Sequence, residues 1–292
     1  MNIAVIITTY NRPDALILAL EGYLSQNNKG FELIVADDGS TIETEKIITY
    51  YQKKNVIKIR HVWQEDNGFR AAAIRNRAIA ETSADYVIFS DGDCIPLPDF
   101  VGKHKYLAEK NWFVAGSRIF LDEAFTLNIL KEQIPVYNWR MSQWITARIR
   151  KDINRLYPFF SLPTGNLLRK VAPNLSLHLD TTGIFTSNLL RKVTPNSWEG
   201  VMTCNLAAWR TDLIKINGFD ESYSGWGLED SDLTIRLIRS NIHRKSARFL
   251  QPVLHLWHKI TDRTQLPENR LRLNDLINSD RVYASCGVDQ YL

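Results

Sequence analysis

Tyr86-Val87-Ile88-Phe89-Ser90-Asp91-Gly92-Asp93 is the stretch on which the reading of this chain turns. An apolar, β-prone run passes straight into two carboxylates separated by one glycine. Such an unbroken run reads as a strand buried on both faces. Asp and Gly then mark where the chain leaves the sheet. Similar runs lie on either side: Ile3 to Thr8, Glu32 to Ala36, Ile57 to Val62 and Trp112 to Gly116. Helical patterns alternate with them. Pro13 suits a first helical turn, with Asn11 as a candidate cap. Leu16, Ala19, Leu20, Tyr23 and Leu24 mark one helical face. After Asn67-Gly68 an alanine-rich helix is expected from Phe69 to Glu81. Strands alternating with helices predict an α/β fold with a mostly parallel central sheet.

In open α/β sheets, ligands bind at the carboxyl ends of the strands. Thr9-Tyr10-Asn11-Arg12, Asp37-Asp38, Asp66-Asn67 and Asp91-Gly92-Asp93 all fall at such ends. Four polar clusters are therefore expected to converge on one rim.

The 292 residues suffice for one large domain or two moderate ones, and 45% hydrophobic with 23% charged content is ordinary for a globular enzyme. A net charge of +4 is too weak to indicate nucleic-acid binding. Three scattered cysteines, Cys94, Cys204 and Cys286, form no CxxC pair and no disulfide framework. With no basic leader, no cleavage pattern and no apolar run of spanning length, the expectation is a cytoplasmic protein, free or peripheral at the inner face of the cell membrane.

Residues 1–121 read as one half, 122–197 as an insertion and 198–292 as a second half ending in an amphipathic helix from Glu268 onward. Between Lys131 and Lys192 ten basic residues face three acidic ones, a net of +7, with Trp139, Trp144, Tyr157, Phe159 and Phe160 interleaved. This composition suits either an acceptor or membrane contact or a helical insertion with solvated charges. Asn166 to Asn174 recurs as Asn188 to Asn196 with Ala172 replaced by Thr194, a local duplication with no chemistry assigned.

Asp91 and Asp93 offer the hard oxygen ligands that Mg²⁺ or Mn²⁺ takes alongside substrate phosphates. His255 and His258 flank Leu256-Trp257, and either imidazole completes such a shell, favouring Mn²⁺ over Mg²⁺. His258, which begins a polar run, is the preferred ligand. Gly225-Trp226-Gly227-Leu228-Glu229-Asp230 precedes a helix expected from Leu228 to Ile242. Asp230 at the helix start stays ionised beside the positive dipole end and suits a general base. Glu229 is the competing base or an acceptor ligand. Trp226 between two glycines suits a lid over a sugar face. Asp37, Asp38, Arg70 and Arg75 are candidates for a uracil ring or a phosphate. Each motif also has a plainer reading as a turn, a capped helix start or surface charge.

Thr8-Thr9-Tyr10-Asn11-Arg12, Ala36-Asp37-Asp38-Gly39-Ser40 and Ser90-Asp91-Gly92-Asp93 together resemble the family 2 glycosyltransferases of the glycosyltransferase A fold. Asn217-Gly218-Phe219-Asp220-Glu221 through Asp230 resembles the galactosyltransferase-type C-terminal half found in animal β-1,4-galactosyltransferases and in bacterial chondroitin and hyaluronan polymerases. The resemblance covers about residues 2–118 and 198–260. It implies an inverting enzyme, a nucleotide-sugar donor and Mn²⁺. It further implies Asp93 and His258 as metal ligands, Asp37, Asp38 and Arg75 around uridine, Asp230 as base and Trp226 as lid. Two departures stand out. Leu228 replaces a second glycine of many relatives, which stiffens the lid. His255 stands where the animal enzymes use methionine.

The expectation is a UDP-sugar-dependent hexosyltransferase acting on a glycan or glycolipid acceptor, such as lipopolysaccharide core or capsule. Thr9, Tyr10, Asn11, Arg12, Arg70 and Asp91 join the donor site. A non-catalytic sugar- or nucleotide-binding protein on the same fold is the alternative. No nucleic-acid partner is expected.

Overall fold

In the computed structural model, the described residues are 1–156, 190–247, 250, 252–259 and 262–292. The first half runs β1 (Ile3–Thr9), α1 (Pro13–Leu24), β2 (Glu32–Asp37), α2 (Ile42–Lys54), β3 (Lys58–Trp63), α3 (Ala71–Glu81) and β4 (Tyr86–Asp91). Then come β5 (Cys94–Pro96), α4 (Phe100–Leu107), β6 (Trp112–Ala115), β7 (Ser117–Phe120), α5 (Glu123–Glu132) and α6 (Met141–Ile149). The last part holds β8 (Leu206–Trp209), α7 (Arg210–Lys215), α8 (Glu229–Arg239), β9 (His243–Ser246), β10 (Pro252–His255) and α9 (Leu266–Ile277).

Seven strands form one sheet in the order β3-β2-β1-β4-β8-β6-β9. β3, β2, β1 and β4 are mutually parallel, and β8 alone runs antiparallel to its neighbours. The mostly parallel α/β sheet expected from the pattern is therefore present. Val5, Ile6, Val87 and Ile88 are fully buried, because helices cover both faces. The sheet takes strands from both sides of the 122–197 segment.

β2 and β4 each run one residue further than their apolar stretches, so that Asp37 and Asp91 close the ladder opposite Thr9 and Thr8. α2 was not anticipated from the pattern. It buries only Thr44, Ile48 and Tyr51, too narrow a stripe to read. Asn11 is not the cap of α1. Its φ of 46° turns it out of the helix entry, and Arg12 takes the cap position. The Asn11 side chain instead accepts from the Thr41 N–H at 2.9 Å. The tail is a helix followed by a short terminal segment, and the helix is shorter than the run from Glu268 suggests. α9 ends at Ile277, where Arg239 takes the Leu276 and Ile277 carbonyls. A short 3₁₀ turn, Val288–Tyr291, follows later.

A second, three-stranded sheet was not foreseen: β5-β10-β7. β10 pairs antiparallel with β5, placing His255 opposite Cys94, and parallel with β7, placing His255 opposite Phe120. Its core includes Ile95, Ile119, Leu254, Leu256, Ile129 of α5 and Trp144 of α6. The first repeat copy, Asn166 to Asn174, and the aromatics Tyr157, Phe159 and Phe160 lie outside the described residues. The second copy is described from residue 190 onward. There Arg191 is buried and donates to the Ser246 carbonyl at 2.9 Å.

Candidate active site

The four polar clusters do meet at the carboxyl ends of β1, β2, β3 and β4. The Asp38 N–H donates to the Thr9 carbonyl at 3.0 Å, and the Gly92 N–H to the Thr8 carbonyl at 2.7 Å. The Tyr10 hydroxyl donates to Asp66 at 2.9 Å, an interaction that raises the phenol pKa. Asn11 clips this loop to the next through its own N–H, which donates to Ser40 Oγ at 2.8 Å. Arg12 stays outside, paired with Asp14 at 3.0 Å. Two glycines are required here for space. A Cβ on Gly39 would lie 2.5 Å from the Asp66 backbone, and one on Gly92 would lie 2.9 Å from Thr9 Oγ1.

Asp37 and Asp38 are buried and already engaged. Asp37 accepts from the Ser40 N–H at 2.8 Å and faces His61 Nε2 at 3.0 Å. Asp38 accepts from the Arg70 N–H at 2.7 Å and from Gln64 Nε2 at 2.5 Å. Burial raises the Asp38 pKa against these bonds. The Arg70 guanidinium turns back onto the Glu65 carbonyl.

Beyond this rim β5 carries the chain away from Asp93, and its pairing with β10 returns His255 and His258 to the same spot. The Leu256 N–H donates to the Asp93 carbonyl at 2.9 Å, locking the approach. His258 Nε2 lies 3.6 Å and His255 Nε2 3.9 Å from the Asp93 carboxylate. One ligand atom from each of the three lies within 4.8 Å of the others. His258 Nδ1 faces the Lys259 carbonyl at 2.7 Å, which places the proton on Nδ1 and leaves the Nε2 lone pair for a ligand. Among the described residues the buried His255 Nδ1 has no hydrogen-bond partner, and burial lowers the pKa of that ring. One oxygen and two neutral imidazole nitrogens fit a divalent first-row ion such as Mn²⁺.

The third component is α8. Arg75, almost fully buried on α3, donates to Thr8 Oγ1 at 3.0 Å, Glu229 at 3.0 Å and Asp91 at 3.3 Å. One guanidinium thus ties β1, β4 and the first turn of α8 together. The resemblance implies a uridine contact for Arg75; here its donors serve this tie. Asp91 also sits among charges, its pKa raised by burial and held back by Arg75. Asp230 lies beside Glu229. Burial, then the charge of Glu229, pushes its carboxyl up to about 7, opposed by Arg75. Asp232, in the same acidic turn, is structural: it is fully buried and paired with Arg236 at 2.6 Å.

Trp226 is half-buried with the Arg263 guanidinium 4.4 Å over its ring. Gly225, Gly227 and Leu228 have φ of 68°, 103° and 78°. Leu228 therefore keeps the left-handed geometry that its glycine counterpart would adopt freely, at a cost of about 1–2 kcal/mol. Asn269 of α9 holds the turn by donating to the Ser224 and Gly227 carbonyls, both at 3.0 Å.

Sequence reasoning missed Thr8, Gln64 and Asn76. Thr8 and Gln64 hold Arg75 and Asp38. Asn76 receives the Phe219 N–H at 2.8 Å and donates to its carbonyl and to Glu221. No local pattern marks these residues, since each acts on a partner distant in sequence.

Comparison with known proteins places the fold and the family. The family model for glycosyl transferase family 2 matches residues 4–172, and that for the N-terminal domain of galactosyltransferase matches 186–259. A hyaluronan synthase of Pasteurella multocida is 29% identical over 82% of this chain and 23% of its own length. A validoxylamine A glucosyltransferase of Streptomyces hygroscopicus subsp. limoneus is 28% identical over 80% of this chain and 47% of its own. The chain thus spans less than half the length of these relatives. Among solved structures, S. aureus TarS 1-349 in complex with UDP superposes with a TM-score of 0.57 at 14% identity, covering 100% of this chain and 68% of that one. The mannosyltransferase PcManGT from Pyrobaculum calidifontis, in complex with GDP-Man and Mn2+, gives 0.56 at 15%, covering 88% and 57%. Strand alternation, the carboxylate-bearing rim and the match over more than half its length lead to one assignment: the chain belongs to glycosyl transferase family 2.

Proposed function

We propose that the chain is an inverting, divalent-metal-dependent glycosyltransferase that moves a sugar from a UDP-sugar to a hydroxyl of a glycan or glycolipid acceptor. The observation that carries this reading is the meeting of Asp93, His255 and His258 on the rim whose Asp91 Arg75 ties to Glu229, the chain neighbour of Asp230. Asp93 and His258 would hold Mn²⁺, with His255 beside them and Mg²⁺ as the weaker substitute. When bound, the ion neutralises charge on the departing nucleotide diphosphate. The loops holding Tyr10, Asn11, Asp37 and Asp38 would embrace the nucleoside. TarS with UDP and the mannosyltransferase with GDP-Man and Mn2+ support a nucleotide-sugar donor on this fold.

Asp230 would accept the proton of the acceptor hydroxyl as the new bond to the sugar C1 forms and the bond to the nucleotide breaks. The first turn of α8 presents it there, and Arg75 pairs with the neighbouring Glu229. With Asp230 as base and the neighbouring Glu229 and Asp91 both engaged by Arg75, direct displacement would turn an α-linked donor into a β-linked product. Trp226 would cover the sugar. The acceptor would be a bacterial surface glycan or its lipid-linked precursor, met at the inner face of the membrane. Among the described residues no helix is long and apolar enough to cross a membrane.

A panel of nucleotide sugars, assayed for nucleotide release with Mn²⁺, Mg²⁺ and EDTA, tests the reading. Release should require metal, favour Mn²⁺ and select one donor, and the product should show a β-anomeric coupling. Full turnover in EDTA or a retained anomer overturns it.

A further inference from the structure

α6 packs on the three-stranded sheet with one face only. Trp144 and Ala147 are 2% exposed within that core. The outward face carries Met141, Ile145 and Ile149, spaced by four residues and 37%, 41% and 76% exposed. Single exposed apolar residues need no explanation. Three in one row along a nine-residue helix do, because a solvent-facing row is ordinarily polar.

The flanks of the row are cationic. From Arg140 to Lys151 the chain carries Arg140, Arg148, Arg150 and Lys151, all exposed, and no acidic residue. Ile149 itself sits between Arg148 and Arg150. Beside Met141 a cleft of about 330 Å³ is walled by Tyr137, Trp139 and Trp144, with Lys103 among its lining residues. Apolar tips, amphipathic aromatics and a cationic border are what a helix lying in a lipid headgroup layer presents.

We infer that α6 docks this protein on an anionic phospholipid surface, its Met141-Ile145-Ile149 row in the headgroup–acyl boundary and its cations against lipid phosphates. A second copy of the chain is the poorer occupant, because pairing two such faces opposes four cations to four. The docking face belongs to the sub-core that also carries His255 on β10. It would therefore hold the rim at a fixed height over the bilayer, within reach of a lipid-linked acceptor. Only that last consequence rests on the proposed transferase activity.

Flotation of the intact protein with vesicles tests docking. The vesicles are phosphatidylcholine alone or phosphatidylcholine with about a third phosphatidylglycerol. The wild type should float with the anionic vesicles, not with the neutral ones, and release at high salt. Arg148→Gln/Arg150→Gln/Lys151→Gln should weaken partitioning roughly a hundredfold, about fivefold per cation. Ile145→Ser/Ile149→Ser should reduce it at both salt concentrations. Both variants should keep the wild-type melting temperature and nucleotide release in solution. Flotation of either variant equal to wild type overturns the inference, as does wild-type protein left behind by anionic vesicles. A row that changes the sedimentation coefficient but not flotation overturns it too, in favour of self-association. Wild-type protein that floats with anionic vesicles but releases no nucleotide instead counts against the transferase reading alone.

Discussion

The two sides of the candidate site are built on opposite physical terms. On the donor side, the loops after β1, β2 and β4 are cross-linked by internal hydrogen bonds, and Asp37 and Asp38 are buried among them. Asp37 and Asp38 are engaged by backbone and side-chain donors before any ligand arrives. On the acceptor side, three of the four residues from Gly225 to Leu228 have positive φ, and Trp226 stays half-buried. One side is preorganised, and the other holds backbone strain in a turn fastened by a few contacts from α9. Rigid electrostatics stabilise charge that develops at a fixed place, whereas a segment that must open and close is drawn from the less stable parts of a fold. The difference fits the proposed division of donor binding on the first side and gating on the second.

The sharpest way to break this comparison is at Asp93. Asp93→Ala removes the carboxylate between the two histidines, and transfer should fall to the EDTA background while the melting temperature stays near wild type. Activity that stays metal-dependent and near normal in this variant would place the ion elsewhere on the rim.

Asp230→Asn comes next. It preserves size and removes the proton acceptor, and loss of a general base typically costs ~10²–10⁴-fold in rate. Turnover should drop while donor affinity, measured by calorimetry, persists. Near-normal turnover would shift the role to Glu229.

A smaller effect sharpens the electrostatic side. As the proposed base Asp230 would act as the carboxylate, so its raised pKa should put the rising limb of the pH–rate profile near pH 7, with activity lost on acidification. Glu229→Gln removes a neighbouring negative charge and frees Arg75, so Asp230 ionises more easily. The limb should move to lower pH. A limb that stays put or moves upward means another group controls the profile.

The smallest effect probes the strained turn. Leu237→Ala, in the buried face of α8, should cost about 2–5 kcal/mol in denaturant unfolding. Leu228→Gly also deletes a leucine, yet relief of about 1–2 kcal/mol of left-handed strain offsets much of its lost packing. Its midpoint should sit close to wild type. A loss as large as that of Leu237→Ala would mean the turn carries no appreciable strain.

Much of the donor side was legible because its signals are local. Buried parallel strands are written as unbroken apolar runs, and the polar residues that follow them necessarily emerge at one rim. Asp230 at a helix start was legible for the same reason. Asn11 misled as a cap because capping depends on φ, and a neighbouring strand loop captured its side chain. The tie that Arg75 makes was not legible: Glu229 lies 154 residues away and nothing local announces the pair.

From sequence alone came the α/β class, the order of the first four strands along the chain, the carboxylates at their ends and the acidic first turn of α8. These follow from chain periodicity and from the polarity of residues leaving a buried strand. Only the tertiary structure decided that β10 pairs with β5, and hence that His255 and His258 face Asp93. Only it decided that one buried guanidinium joins the two sides, and that Leu228 occupies a left-handed turn. Strand pairing across long separations, the satisfaction of a buried charge and the φ of a single residue depend on what the rest of the chain brings alongside.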